Sequence, residues 1–213
     1  NNFDEFRYEY FRDLTVAFEA FKADEFDWWN ENQARRWATA YDFPAVQDGR
    51  IIREEFVNGY NDQGVMVGYI PNMRRPMFQD ARVREALNYA FDFEELNRTQ
   101  FYEQYQRVDS YFFGTALAAD PGLAEGLELE ILEEVRDLVP ESVFTARFTN
   151  PVAGNEDALR ENLREALRLF GEAGYTLDGT RLVDANDEQF GFEILLNGPT
   201  NEPVALHFAE NLN

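Results

Sequence analysis

The sequence predicts an α/β fold, and three features carry that expectation. Short alternations of apolar and polar residues, such as Phe6, Tyr8 and Tyr10 against Arg7 and Glu9, have the period of a half-buried strand. Longer stretches place apolar residues three and four apart, as Val83, Ala86, Leu87, Ala90 and Phe91 do, which is the spacing of one helix face. The two kinds of stretch follow one another along 213 residues without an internal repeat or a low-complexity tract. With 45% hydrophobic and 28% charged residues the chain has the composition of a folded protein, and its length suits one large domain or two small ones.

Taken in order, the strand at Phe6 to Tyr10 leads into a helix carrying Val16, Phe18, Ala20 and Phe21, which breaks at Ala23-Asp24. Phe26 to Trp29 reads as a second short strand, residues 30–40 as helical, residues 41–49 as a loop anchored by Phe43-Pro44, and residues 51–56 as strand or extended chain. Residues 59–64 are turn chemistry, Val65 to Ile70 a buried strand, and Pro71 to Pro76 a pause in regular structure. Asp80 is placed to cap a helix over the Val83 to Phe91 face. Further helices are expected near residues 93–105, near 127–138 with Leu127, Ile131, Leu132, Val135 and Leu138 inward, and over 156–173. The last has Leu159, Leu163, Ala166, Leu167 and Phe170 inward and Gly174 just past its end. Residues 180–183 and 190–196 read as paired strands, and a final helix begins at Pro203. A chain that opens in a strand and closes in a helix has the pattern of a piece of a longer polypeptide.

Acidic residues outnumber basic ones 41 to 19, a net charge of −22, so nucleic acid is not an expected partner: phosphates are held by Lys and Arg. No run of 18 apolar residues occurs, and the first ten residues have no basic or apolar targeting pattern. The absence of cysteine and the single histidine, His207, remove disulfides, thiolate chemistry and zinc–cysteine sites. Lys22 is the only lysine beside eighteen arginines. On a folded surface of about 10,000 Å² such a charge repels itself and is screened by salt. Two readings stay open, adaptation to a saline environment or an acidic extracytoplasmic protein from a GC-rich genome.

Several motifs carry no chemistry. Asn97-Arg98-Thr99 fits a glycosylation sequon but lies in an expected helix. Asp178, Asp184, Asn186 and Asp187 lack the register of a calcium loop. No phosphate-cradling glycine loop is present, and His207 has no relay partner in the sequence.

One ordered series of segments is distinctive. Val65-Met-Val-Gly-Tyr-Ile-Pro-Asn72 is followed by Pro76-Met-Phe-Gln-Asp80-Ala-Arg82-Val-Arg84-Glu-Ala-Leu87-Asn-Tyr-Ala90-Phe-Asp92. This resembles the signature of the family 5 extracellular solute-binding proteins, the oligopeptide- and dipeptide-binding components of ABC importers. Leu14 to Asp27 is similar to the helix and strand that precede that signature, with Ala23-Asp24 where glycine is usual. Glu165-Ala-Leu-Arg-Leu-Phe-Gly-Glu-Ala-Gly-Tyr175 is similar to a later helix, with Gly171 departing. Phe18 to Lys22, Trp37 to Ala45 and Arg107 to Phe112 look most like the branch that includes the microcin C and oligopeptide binder.

The resemblance implies part of a two-lobed, type II periplasmic-binding-protein architecture. Residues 1–64 would belong to the first lobe, 65–73 to a crossover strand and 74–213 to an incomplete second lobe. It implies capture of peptides or peptide-like compounds and delivery to permease subunits, with no catalysis, no cofactor and no metal, by a periplasmic monomer. Ligand contacts would come from Asn30, Glu31 and Asn32, with Glu31 meeting a peptide cation or standing as a solvated acid, from Tyr69 on the crossover strand, and from Ser110 and Tyr111. Asn197, Thr200 and Asn201 would complete them at a strand-to-helix turn. A carboxylate-based hydrolase, or a fragment that binds nothing alone, is the alternative.

Overall fold

The computed structural model describes residues 2–56, 66–119 and 122–213, and the chain divides into two units, Asn1–Glu55 and Phe56–Asn213. The first unit is organised by α1 (Leu14–Lys22). Asp13 caps it, its Oδ1 accepting from the Thr15 and Val16 amides at 2.7 and 3.1 Å. Such a cap contributes about 1 kcal/mol. The helix stops at Ala23 because Asp24 turns to φ +66, the left-handed region that a glycine would occupy at less cost. Two short helices follow, α2 (Ala34–Thr39) and α3 (Pro44–Gln47), the latter started by a proline at its first position.

These pieces enclose an aromatic core. Phe18, Phe21 and Tyr41 are buried, and Phe26, Trp29, Trp37 and Phe43 pack around them. Each large side chain so buried contributes roughly 1.5–3 kcal/mol. The Arg36 guanidinium lies 5.0 Å from the Phe18 ring centre, and Arg53 lies 4.0 Å over Trp37.

In the second unit the 3₁₀ turn Pro76–Phe78 precedes α4 (Ala81–Tyr89), whose Asp80 cap accepts from the Arg82 amide at 2.9 Å. α5 (Phe93–Thr99), α6 (Gly126–Glu134) and α7 (Ser142–Thr145) lead to the long α8 (Glu156–Glu172), capped by Asn155 and closed by Gly174 at φ +95. β1 (Thr176–Asp178) and β2 (Arg181–Val183) form an antiparallel ribbon with Thr176 opposite Val183, and α9 (Glu202–Leu212) ends the chain. α4 lies on α8: Phe78, Val83, Ala86, Leu87 and Ala90 meet Ala166, Leu169 and Phe170, with Phe208 of α9 against them. Arg82 fastens the two helices, holding Asp80 with Nε and Nη2 and donating from Nη1 to the Glu172 carbonyl at 2.6 Å.

The helices of the second unit match expectation better than the strands do. Among the described residues there are nine α-helices against one two-stranded ribbon, so the α/β expectation is met only in part. Residues 6–10 form no strand, and Phe6, Tyr8 and Tyr10 are 73, 75 and 91% exposed. Alternation makes a strand only where a neighbouring strand takes its hydrogen bonds, and no described residue does so there. Residues 26–29 turn, with Phe26 and Trp29 packed inward three residues apart and Trp28 exposed. The described part of the Val65 to Ile70 strand, residues 66–70, is exposed and forms no ladder among the described residues; Val65 and the 59–64 turn lie outside the described residues.

Other differences have local causes. The 30–40 helix begins only at Ala34, because Glu31 captures the Gln33 amide at 2.9 Å and Gln33 itself is extended, at φ −112 and ψ 110. The helix from Phe93 stops at Thr99, since Tyr102 and Glu103 adopt φ +54 and +60. The 127–138 helix breaks at Val135 and buries no residue, leaving Leu127, Ile131 and Leu138 exposed. On α8 it is Leu169, not Leu167, that enters the core. β2 pairs with β1, while among the described residues the 190–196 segment makes one backbone hydrogen bond to it, the Phe190 amide on the Leu182 carbonyl, next to the isolated Val183–Gln189 bridge.

Candidate functional site

Glu31 is the most constrained of the expected contact residues. Its side chain is 3% exposed, neither a solvated acid nor an open partner. Oε2 accepts from Trp29 Nε1 and from the Tyr41 hydroxyl, each at 3.1 Å, and Oε1 accepts from the Gln33 amide. Arg36 Nη1, buried without a hydrogen bond, stands 3.7 Å from Oε2 and supplies the countercharge. Burial first, and the Glu31 charge second, push the Tyr41 phenol well above its ordinary pKa. Neighbouring Asn30 and Asn32 are exposed. Glu31 thus anchors the segment that carries the two asparagines.

The remaining residues belong to the second unit. Tyr69 stacks on Phe208 at 5.6 Å and meets the edge of Phe91 at 6.2 Å, and burial raises its phenol pKa. It is still 39% exposed. Ser110 and Tyr111 line one depression of about 550 Å³ together with Asp109, Phe112, Leu117 and Glu128. Tyr111 is 77% exposed, and the Ser110 hydroxyl accepts from the Ala119 amide at 3.3 Å. Thr200 and Asn201 occupy a 3₁₀ turn, Pro199–Asn201, that runs directly into α9; with Asn197 they are exposed, and Asn201 makes no side-chain cap. Within this unit Ser110 and Tyr111 share a pocket, and Asn197, Thr200 and Asn201 share a turn.

Sequence reasoning missed the polar clamp behind Ser110 and Tyr111. Asn150 Nδ2 donates to the Val108 carbonyl at 3.0 Å and to Asp109 at 2.7 Å, while its oxygen accepts from Asn88. Arg107 donates to the Pro151 carbonyl and to Asn88, both at 2.7 Å. Asp92, 4% exposed, accepts from the Glu95 and Gly154 amides, and Glu94 accepts from the Ala153 amide. Burial lowers the Arg107 pKa, and Glu94, Asp109 and Asp92 oppose that shift. The signal was present, since Asp92 closes the α4 signature and Arg107 to Asp109 opens a segment that carried the resemblance.

The other motifs resolve into local structure. Asn97 spends both ends of its amide on the Tyr105 backbone. Asp184 accepts from the Asn186 and Glu188 amides, a hairpin turn that depresses its pKa. Among the described residues no cluster of His, Asp and Glu could hold a metal ion, and no helix is long and apolar enough to cross a membrane.

The sequence is 56% identical over its whole length to an uncharacterized protein, y4wM, of Sinorhizobium fredii. It is 49% identical to a probable peptide-binding protein, YejA, of Agrobacterium fabrum, and 34% identical to a peptidoglycan-binding protein, YepA, of the same species. The chain spans about a third of these relatives, 32, 34 and 35% of their lengths. The sequence model described as "Bacterial extracellular solute-binding proteins, family 5 Middle" matches residues 1–213, and the chain therefore belongs to that family.

Proposed function

We propose that the full-length protein captures peptides or peptide-like compounds outside the cytoplasm and delivers them to the permease subunits of an ABC importer. The observation that carries this reading is the family match over all 213 residues, joined to a half-identical relative named a probable peptide-binding protein. The lobe assignment goes with it: residues 1–64 would belong to one lobe of a type II binding-protein fold, residues 65–73 to a crossover strand and residues 74–213 to the other lobe. Ligands of such folds sit between lobes that close by hinge motion. The protein would act as a periplasmic monomer and would break no bond.

The exposed polar groups suit a peptide. Asn30 and Asn32, the Ser110–Tyr111 rim and the Asn197 to Asn201 turn offer amides and hydroxyls that satisfy an extended backbone while leaving its side chains room. Tyr69 offers an aromatic face. Glu31 enters this reading as the residue that anchors the segment carrying Asn30 and Asn32.

Calorimetry on the full-length protein with defined tripeptides, a muropeptide and a disaccharide tests it. Saturable binding of a tripeptide or muropeptide is expected, weakened by Tyr111→Ala. Binding of the sugar alone would refute the ligand class, and an affinity indifferent to Tyr111→Ala would remove the rim from the site.

A further inference from the structure

We propose that Asn197 is a site of spontaneous covalent modification, deamidating through the backbone nitrogen of Gly198 to a mixture of aspartate and isoaspartate. The chemistry belongs to the chain itself and needs no ligand and no second protein. It requires a side-chain amide free to fold back on the main chain, a following N–H that no acceptor holds, and little bulk around that nitrogen. Asn197 and Gly198 form the only Asn-Gly pair among the described residues. Asn197 is exposed, and its side chain has no hydrogen-bond partner among the described residues. Gly198 is extended, at φ 174 and ψ 172, and no acceptor among the described residues takes its N–H. An unheld, accessible backbone N–H is uncommon in a folded chain, where most are paired.

Other asparagines lack one or more of these conditions. Asn201 is followed by Glu202, whose side chain crowds its nitrogen and whose N–H donates to the Pro199 carbonyl. The residue after Asn186 is Asp187, whose N–H donates to the Asp184 carbonyl at 3.1 Å, and Asn186 Nδ2 is itself held by Asp184 at 3.4 Å. Asn155 spends its side-chain oxygen on the amides of Asp157 and Ala158. Packing does not call for the glycine at 198, since a Cβ there would meet nothing within 4 Å and an extended backbone suits any residue.

The reaction balances with water alone. The Gly198 nitrogen gives its proton to solvent base and bonds to Asn197 Cγ, the Cγ–Nδ2 bond breaks, and ammonia leaves a cyclic succinimide. Water then opens the ring. Cleavage of the new N–Cγ bond gives aspartate, and cleavage between that nitrogen and the Asn197 backbone carbonyl carbon gives isoaspartate, whose main chain runs through Cβ and Cγ. Either product adds a negative charge just ahead of the turn into α9, and isoaspartate also lengthens the backbone there by one carbon.

Incubating the full-length protein in mildly alkaline ¹⁸O-water, cleaving after glutamate to release residues 194–210 and sequencing that peptide by mass spectrometry tests the proposal. A gain of about 3 Da, one nitrogen lost and one heavy oxygen taken up, should localise to Asn197, with isoaspartate the larger product and Asn201 of the same peptide unchanged. Gly198→Ala should slow the gain by about tenfold or more while leaving the thermal midpoint unaltered. An Asn197 that stays intact while a urea-unfolded control converts would overturn the proposal. Conversion of Gly198→Ala at the parent's rate would overturn the route through the Gly198 nitrogen, and equal conversion at Asn201 would overturn the selection by local geometry.

Discussion

Glu31→Gln puts an amide nitrogen into a pocket already lined with donors. The carboxylate receives Trp29 Nε1, the Tyr41 hydroxyl and the Gln33 amide, and faces the buried Arg36 nitrogen. A glutamine keeps one acceptor oxygen. Turned toward Trp29 and Tyr41, it sets its amide against the Gln33 N–H and leaves Arg36 without a countercharge. Hydrogen bonds to a charged group contribute about 1.5–3 kcal/mol, so Glu31→Gln should destabilise the first unit by about 2–3 kcal/mol. Glu31→Ala, which strands all the donors and the cation, should cost about 3–5 kcal/mol. Urea denaturation of the full-length protein, followed at Trp29 and Trp37 by ¹⁹F-tryptophan NMR, would measure both. Peptide affinity of the folded Gln variant should change little. Stability within about 0.5 kcal/mol of the parent for both variants would refute the reasoning. An affinity loss at full stability would return Glu31 to the ligand.

Three further outcomes are expected. Gly154 sits at φ +81 with an added Cβ 3.0 Å from that of Glu94, so Gly154→Ala should lower stability by about 1–3 kcal/mol in a urea melt. The net charge of −22 repels itself across the folded surface. The thermal midpoint should rise by several degrees as the Debye length falls from about 10 Å at 0.1 M to about 3 Å at 1 M salt, and a flat midpoint would dismiss self-repulsion. Tyr41, Tyr69, Tyr89 and Tyr175 have phenol pKa values raised chiefly by burial. The folded state therefore keeps protons that the unfolded state releases above about pH 10, so stability should be full below that pH and fall above it. Tyrosinate absorbance should lag behind that of a denatured control.

Helices were legible because their signals are local. Asp13 and Asp80 cap through bonds two or three residues away, and Gly174 ends α8 through its own backbone, so each acts wherever the rest of the chain lies. Strands were not legible to the same degree, because a strand is a relation between segments. Phe6 to Tyr10, Met66 to Ile70 and Phe190 to Leu196 have strand composition, and their ladders depend on partners that sequence spacing does not name. The Leu167–Leu169 exchange on α8 has a different origin. The two lie about 200° apart around the helix, and the α4 contact selects the side that carries Leu169 with Ala166 and Phe170.

The site followed the same division. Exposed polar turns such as Asn197 to Asn201 can be picked out of a sequence, because glycine, proline and asparagine mark them directly. Glu31 could not be placed that way: one acid among 41 has no distinguishing neighbour in sequence, and its role is set by Tyr41, ten residues on, and Arg36. The same holds for Asn150, which anchors Val108 and Asp109 across 42 and 41 residues. Ser110 and Tyr111 are therefore presented by a rigid base that the 150–154 segment supplies, and their position should respond to substitutions there more than to changes in the exposed loop that carries them. A peptide affinity that falls in Asn150→Ala while urea stability drops by only about 1 kcal/mol would show that this base positions the rim, and an unchanged affinity would show that the rim holds its shape without it.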